Sequence, residues 1–249
     1  MKILLTNDDG IDSPGLSLLA AALRQAGHRV LALAPDSNRS AVSHAISFLN
    51  GPCKITKISA DTWACSGTPV DCIVIALLGG IPGDEQFTPE LVISGINRGA
   101  NLGTDLLYSG TAAAARQASM AGYPALAVSL VEKKTWHWET AVSFIIEQLS
   151  EIASCWKPDT FMNLNLPNGP APPEKIVAAF PSRRCYNDTI VQYQSPAGEL
   201  YCFANGGKIG AEYQSGSDHD VICGNCASMS AIYIHPAAFE EIAVRKERH

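Results

Sequence analysis

Short apolar runs alternate with stretches of helical spacing from Lys2 to Leu166, and this alternation limits the possible folds more than any other feature of the chain. The runs are Ile3 to Leu5, Arg29 to Ala34, Leu91 to Ser94, Ala125 to Leu130 and Phe161 to Leu166. Helical patterns separate them. Ser13-Pro14 reads as N-cap and first helical position before Leu16, Leu19, Ala20 and Leu23, with Gly27 as the stop. Thr68-Pro69-Val70-Asp71 starts a second helix, through Ile73, Val74 and Leu77. Ala112 to Met120 and Glu139 to Ile152 supply two more. Strands joined through helices pair in parallel and are covered on both faces. The expected fold is therefore α/β, with a Rossmann-like three-layer αβα core over residues 1–166.

From Pro167 the rhythm is lost. Pro167, Pro170, Pro172 and Pro173 make a rigid connector, and Ile190 to Phe203 alternates as a β-hairpin around Pro196-Ala197-Gly198. Residues 167–249 are expected to be a C-terminal extension that packs on the core and on a partner subunit, because a hairpin without its own core needs a surface to cover it. A homodimer or homotetramer follows. Residues Ile46 to Ile58 read as extended or hairpin structure.

In an open α/β sheet, ligands bind just beyond the carboxyl ends of the strands. Four loops fall at that edge: Asn7 to Gly10, Asp36 to Ser40, Gly95 to Gly103 and Ser109 to Thr111. The adjacent carboxylates Asp8 and Asp9, the Ser40 hydroxyl and the Asn97 amide oxygen together suit Mg²⁺, Mn²⁺ or Ca²⁺ rather than zinc, since no His or Cys joins them. Asn-Asp-Asp-Gly is equally good turn chemistry. Ser109-Gly110-Thr111 opens a helix, where free N–H groups, two hydroxyls and the dipole would cradle an anion. Plain N-capping explains the same residues.

Composition narrows the function classes. At 249 residues, 47% hydrophobic and 17% charged, the chain has apolar surface for one large domain with an extension. The longest apolar stretch, Cys72 to Ile81, is broken by Gly79 and Gly80 and falls far below the roughly 20 residues that cross a bilayer. No h-region of about 7–15 residues precedes Asp8, so no signal peptide and a cytoplasmic location are expected. A net charge of −6 without a Lys/Arg block argues against a nucleic acid duplex held by a basic stripe. The 8 cysteines are scattered, so free thiols are expected. Cys223-Gly-Asn-Cys226 would need two more zinc ligands, for which Cys202, His219 and His235 are the candidates. No G-x-G-x-x-G follows the first strand, which excludes a nicotinamide dehydrogenase of that pattern.

The motifs are more specific than this chemistry alone. Asn7-Asp8-Asp9-Gly10, Pro35-Asp36-Ser37-Asn38-Arg39-Ser40, Ser66-Gly67-Thr68-Pro69-Val70-Asp71-Cys72, Ser94 to Gly103 and Tyr108-Ser109-Gly110-Thr111 together resemble the stationary-phase survival protein family, SurE, of metal-dependent nucleotidases. The resemblance implies a Rossmann-like core with an exchanged C-terminal segment. It implies phosphate removal from nucleoside 5′-monophosphates, with breadth toward 3′-nucleotides and short polyphosphate. It assigns one divalent cation per subunit, Mg²⁺ or Mn²⁺, to Asp8, Asp9, Ser40 and Asn97. It places Asn38, Asn101, Ser109, Gly110 and Thr111 around the phosphate. Asp8, Asp9, Asn101 and Ser109 are then the expected catalytic set.

Ser217 to Asp220 and Ser228 to His235 look like that family's closing strand region, although Cys223 to Ala227 departs from its glycine-aromatic run. The proton acceptor stays open: a carboxylate acting through bound water is one route, and direct aspartyl attack, which lacks the D-x-D spacing, is the other. His44 as base to a serine, and Trp63, Trp136, Trp138 or Trp156 as a base-stacking surface, are weaker readings. The rival function is a nucleotide or metal sensor without turnover. Asp8→Asn or Asp9→Asn is expected to stop phosphate release and to spare the fold, on the expectation that these loop carboxylates are exposed.

Overall fold

The computed structural model describes residues 1–236 apart from 82, 83, 85 and 208. The part of the expected extension at 237–249 lies outside the described residues. The core runs β1 (Lys2–Thr6), α1 (Pro14–Gln25), β2 (Arg29–Pro35), β3 (Ile55–Ser59), β4 (Thr62–Cys65), α2 (Pro69–Val74), β5 (Leu91–Arg98), α3 (Gly110–Met120), β6 (Ala125–Leu130), α4 (Trp138–Ser154) and β7 (Thr160–Leu166). Then follow β8 (Ile176–Ala178), β9 (Arg184–Cys185), β10 (Thr189–Gln194), β11 (Leu200–Asn205), β12 (Gly210–Ala211), α5 (Asp218–Cys223) and β13 (Ala227–Tyr233).

The main sheet has the order β3-β4-β2-β1-β5-β6-β7-β13-β8. Strands β4, β2, β1, β5, β6 and β7 are mutually parallel. Numbered among themselves, they run 3-2-1-4-5-6, the doubly wound order whose ligand crevice opens where the winding reverses. That reversal falls between β1 and β5. Alternation along β1 sends Ile3 and Leu5 to the layer of α1 and α4, and Leu4 to the layer of α2 and α3. Helices therefore cover both faces, as the sequence pattern requires.

Several local expectations are refined. Helix α2 ends at Val74, and the chain continues through Ile75–Gly79 as a π-turn. Its start is a capping box: the Thr68 hydroxyl accepts from the Asp71 amide, and the Asp71 carboxylate accepts from the Thr68 amide. Strand β5 does not stop at Ser94 but runs to Arg98 through a register shift between Ser94 and Asn97. Gly95 makes this possible. Its φ is +145°, and a Cβ there would lie 2.4 Å from the Val128 carbonyl oxygen. The expected long loop is shortened accordingly, and Asn97 is delivered by a strand.

The C-terminal third also departs from expectation. Ser217 to Asp220 is not strand: Ser217 caps α5, its hydroxyl accepting from the Asp220 amide. The closing strand is β13, antiparallel to β7, with β8 parallel on its far side, so the sheet continues beyond Leu166. Buried Asp218 accepts from the Gly103 amide at 2.7 Å and the Ser182 amide at 2.9 Å, which ties this third to the loop after β5. Strands β10 and β11 form the expected hairpin and stand apart as a two-stranded sheet. Of the tryptophans, Trp63 and Trp138 are core, Trp136 stacks on Trp138 at 4.9 Å, and the Trp156 indole donates to the Ser119 hydroxyl. His44 pairs with Gln117.

Candidate active site

The polar groups of the site come from the loops after β1, β2 and β5, from the end of β5 and from the N-terminus of α3. After β1, the Asn7 side chain closes a turn by donating to the Gly10 carbonyl (2.9 Å) and accepting from the Gly10 amide (3.2 Å). That turn presents Asp8 and Asp9. The loop after β2 is laced to it: the Ile11 amide donates to Pro35 O at 2.8 Å, and the Arg39 amide to Asp8 O at 2.7 Å. In the same loop the Asn38 side chain accepts from the Ser40 amide at 2.7 Å.

Asp8 is only 3% exposed, so the expectation of an exposed loop carboxylate is wrong for it. It sits against the N-terminus of α3. The Thr111 hydroxyl donates to its Oδ1 at 2.5 Å, and the Thr111 amide also bonds it. A Cβ on Gly110 would stand 2.8 Å from Asp8 Cβ, so glycine is what lets the carboxylate come this close. One free N–H group of this helix end, that of Thr111, is thus taken by the protein's own Asp8. Thr111, expected to line the phosphate, is fully buried and donates its hydroxyl proton to Asp8.

Burial pushes the Asp8 carboxyl up to about 6, against the lowering pull of Thr111 and with a further rise from the charge of Asp9. Among the described residues no Lys, Arg or His side chain forms an ion pair with it. Asp9 is also raised by burial, with the Arg98 amide and charge opposing; that amide donates to Asp9 Oδ2 at 2.9 Å. A buried carboxylate with no ion-pair partner beside a second, half-buried one, with serine and asparagine oxygens nearby, is a donor set that fits a hard divalent cation.

A cavity of about 280 Å³ brings together Asp8, Ser40, Asn97, Asn101 and Ser109, with Tyr108 on its wall. Asn97 donates its amide nitrogen to Gly99 O at 2.8 Å, which leaves the oxygen as its ligating end. Asn101 is held from several sides. Its backbone amide donates to Asn165, its side-chain nitrogen to the Ser129 hydroxyl, and its carbonyl accepts from Asn163 and Asn165. Ser109 caps α3 by accepting from the Ala112 amide at 3.0 Å, and its hydroxyl proton remains available.

A second cavity, about 400 Å³, adjoins the first. Asp9 and Asn38 line it rather than the first, and Arg98 borders both. Sequence reasoning missed Arg98, whose guanidinium packs over Trp136 at 5.4 Å. It also missed Asp105, Tyr108 and Tyr186 on the cavity wall. Arg98 and Tyr108 stood inside the motifs already singled out, whereas Tyr186 comes from the C-terminal third, with no local signal to connect it.

Fold and site together define a doubly wound α/β protein with an acidic, oxygen-rich crevice at its switch point. The family model described as Survival protein SurE matches residues 3–188. The chain belongs to the SurE family. It is 38% identical to the 5′-nucleotidase SurE of Geotalea daltonii, with 99% of this chain and 98% of the relative covered. It is 44% identical to that of Xanthomonas campestris pv. campestris, over 68% of this chain and 64% of the relative. Among solved structures it resembles the SurE protein from Aquifex aeolicus, with a TM-score of 0.81, 29% identity and 96% of each chain covered.

Proposed function

We propose that this chain is a divalent-metal-dependent phosphatase that converts nucleoside 5′-monophosphates to nucleoside and phosphate, with 3′-nucleotides and short polyphosphate as further substrates. One observation carries the reading. A buried carboxylate without a cationic partner stands beside a second carboxylate at the switch point, facing a cavity whose other wall is Asn101 and Ser109. The relatives named 5′-nucleotidase support the substrate class.

Asp8, Asp9, Ser40 and Asn97 would hold one Mg²⁺ or Mn²⁺ per subunit. Such an ion, when bound, supplies Lewis acidity toward a phosphoryl oxygen and lowers the pKa of a water molecule. The chain's own contribution is alignment and charge compensation, which phosphoryl transfer chiefly needs. Ser109 donates its hydroxyl proton to a phosphoryl oxygen, and the amide at Gly110 faces the same anion from the helix terminus. Asn101, fixed by β6 and β7, sets the far wall, and Asn38 orients the substrate from the adjoining cavity. Direct attack by Asp8 is disfavoured by its bonds to Thr111 and its packing on Gly110.

Residues 1–166 supply all of these groups, and the extension that begins at residue 167 packs on the core and presents the hairpin to a partner subunit in a homodimer or homotetramer. Eight thiols without a disulfide among them suit a reducing, cytoplasmic setting. Among the described residues no helix is long and apolar enough to cross a membrane. Phosphate release measured across 5′- and 3′-nucleotides with Mg²⁺, Mn²⁺ and EDTA tests the reading. Release from AMP or GMP that EDTA stops is the expected result; tight nucleotide binding without release would replace an enzyme with a sensor.

A further inference from the structure

The proposed chemistry concerns only the phosphate, and nothing in it explains how the remainder of a nucleotide is held. Next to Ser109 stands Tyr108, a large aromatic ring that is 54% exposed and borders the same cavity as Asp8 and Asn101. Exposed rings are ordinary at a surface, but the support behind this one is not. The Tyr186 ring packs against it in a T-shaped contact, with centroids 6.1 Å apart and planes at 89°. The Tyr186 hydroxyl donates to Asp105 Oδ1 at 2.5 Å, and Arg184 pairs with Asp105 Oδ2 at 3.2 Å. Burial and the Asp105 carboxylate raise the Tyr186 hydroxyl well above its ordinary value, so it remains a proton donor throughout the physiological range.

The backbone of Tyr108 is fastened as well. Its amide donates to Asp105 O at 3.0 Å, and its carbonyl accepts from the Ser43 amide at 3.0 Å. A T-shaped contact with one neighbour covers at most one face of the Tyr108 ring, and the ring is 54% exposed at the cavity it lines. The ring is therefore held by its neighbours, is partly bare, and is one residue away from a hydroxyl that faces the phosphate.

We infer that Tyr108 is a stacking platform for the nucleobase of the substrate, fixed by Tyr186 and Asp105. This rests on the nucleotidase reading and extends it from the phosphate to the base. Stacking uses the π-face that every base has, so the platform favours nucleotides over base-free phosphomonoesters and purines over pyrimidines, without selecting one purine. Ring overlap decides affinity, so phenylalanine or tryptophan at this position retains the preference.

The test compares AMP, CMP and ribose 5-phosphate as substrates and, by calorimetry, as ligands. It uses the wild-type protein and the Tyr108→Ala, Tyr108→Phe and Tyr108→Trp variants. For Tyr108→Ala the ratio of KM for AMP to KM for ribose 5-phosphate rises about 5- to 150-fold, the range expected of one stacked base. The order AMP before CMP flattens in the same variant, and the phenylalanine and tryptophan variants stay near wild type. An unchanged ratio in Tyr108→Ala, whether because both substrates suffer equally or because neither does, overturns the inference. If the wild-type protein releases phosphate from no nucleotide, the nucleotidase reading fails by itself. The calorimetric ratio of AMP to ribose 5-phosphate affinity then still decides whether the ring stacks a base.

Discussion

At 3% exposure, Asp8 keeps a negative charge at neutral pH only against the loss of its hydration. Its folded-state value of about 6 lies above the 3.8 of an ordinary Asp, so between those values the folded chain holds more proton than the unfolded one. Stability from this group is therefore greatest in acid and falls as pH rises from about 4 to about 6, and the full penalty is of order 3 kcal/mol above that window. Asp8→Asn removes the penalty and can still accept the Thr111 proton. We expect the variant, in EDTA, to be at least as stable as wild type at pH 7 and to lose that advantage near pH 4, as denaturant unfolding at both pH values will show. We expect its phosphate release to fall below detection with Mg²⁺ or Mn²⁺ present. Wild-type turnover in Asp8→Asn would remove the residue from the ligand set. The sparing of the fold anticipated for this variant thus has another cause than exposure: the side chain is buried, and an isosteric neutral replacement is what keeps the packing intact.

Helix α3 shows how one element makes the crevice. Ser109 caps it, Gly110 lets Asp8 approach, Thr111 bonds the carboxylate, and Ala112 to Ala115 with Ala118 press the helix into the core. Alanine normally stabilises a helix relative to glycine by about 0.5–1 kcal/mol. At position 110 the sign reverses, because the added Cβ would stand 2.8 Å from Asp8 Cβ and 3.0 Å from its Oδ2. Gly110→Ala should destabilise by about 1–3 kcal/mol and depress phosphate release, since the helix start and the acidic loop must separate. A variant as stable and active as wild type would mean that the contact relaxes freely. Strand β5 makes the complementary point. Its Gly95 lets the strand run past Ser94, so Asn97 reaches the edge on sheet pairing rather than on a loop.

For the molecule as a whole, the hairpin of β10 and β11 is the unfinished surface. Cross-strand pairing puts Val191 beside Phe203 and Tyr193 beside Tyr201 on one face, and Tyr193 meets Phe203 at 5.6 Å. Tyr193 is 61% and Phe203 54% exposed, an apolar face on a two-stranded sheet that has no core of its own. We expect a dimer or tetramer by size exclusion with light scattering at micromolar concentration. The pair Tyr193→Glu and Phe203→Glu should shift the species to a smaller assembly with unchanged far-ultraviolet circular dichroism. A wild-type monomer, or an unmoved assembly in the double variant, would place the contact elsewhere.

The doubly wound core was legible in the sequence because apolar period and length separate strand from helix without reference to distant residues. The acid pair, Ser40 and Asn101 could be placed from the sequence for a related reason: each sits in a loop directly after a strand the pattern reveals, and such loops share one edge of a parallel sheet, whereas Asn97 reaches that edge on β5 and Ser109 at the start of α3. Tertiary structure alone decided the rest. It buried Asp8 against α3 and committed Thr111 to that carboxylate. It divided the acids between adjoining cavities. It returned β13 to the sheet beside β7 and brought Tyr186 from the C-terminal third to Tyr108. Desolvation and long-range contact depend on which surfaces meet in space, and local spacing along a chain carries no record of that.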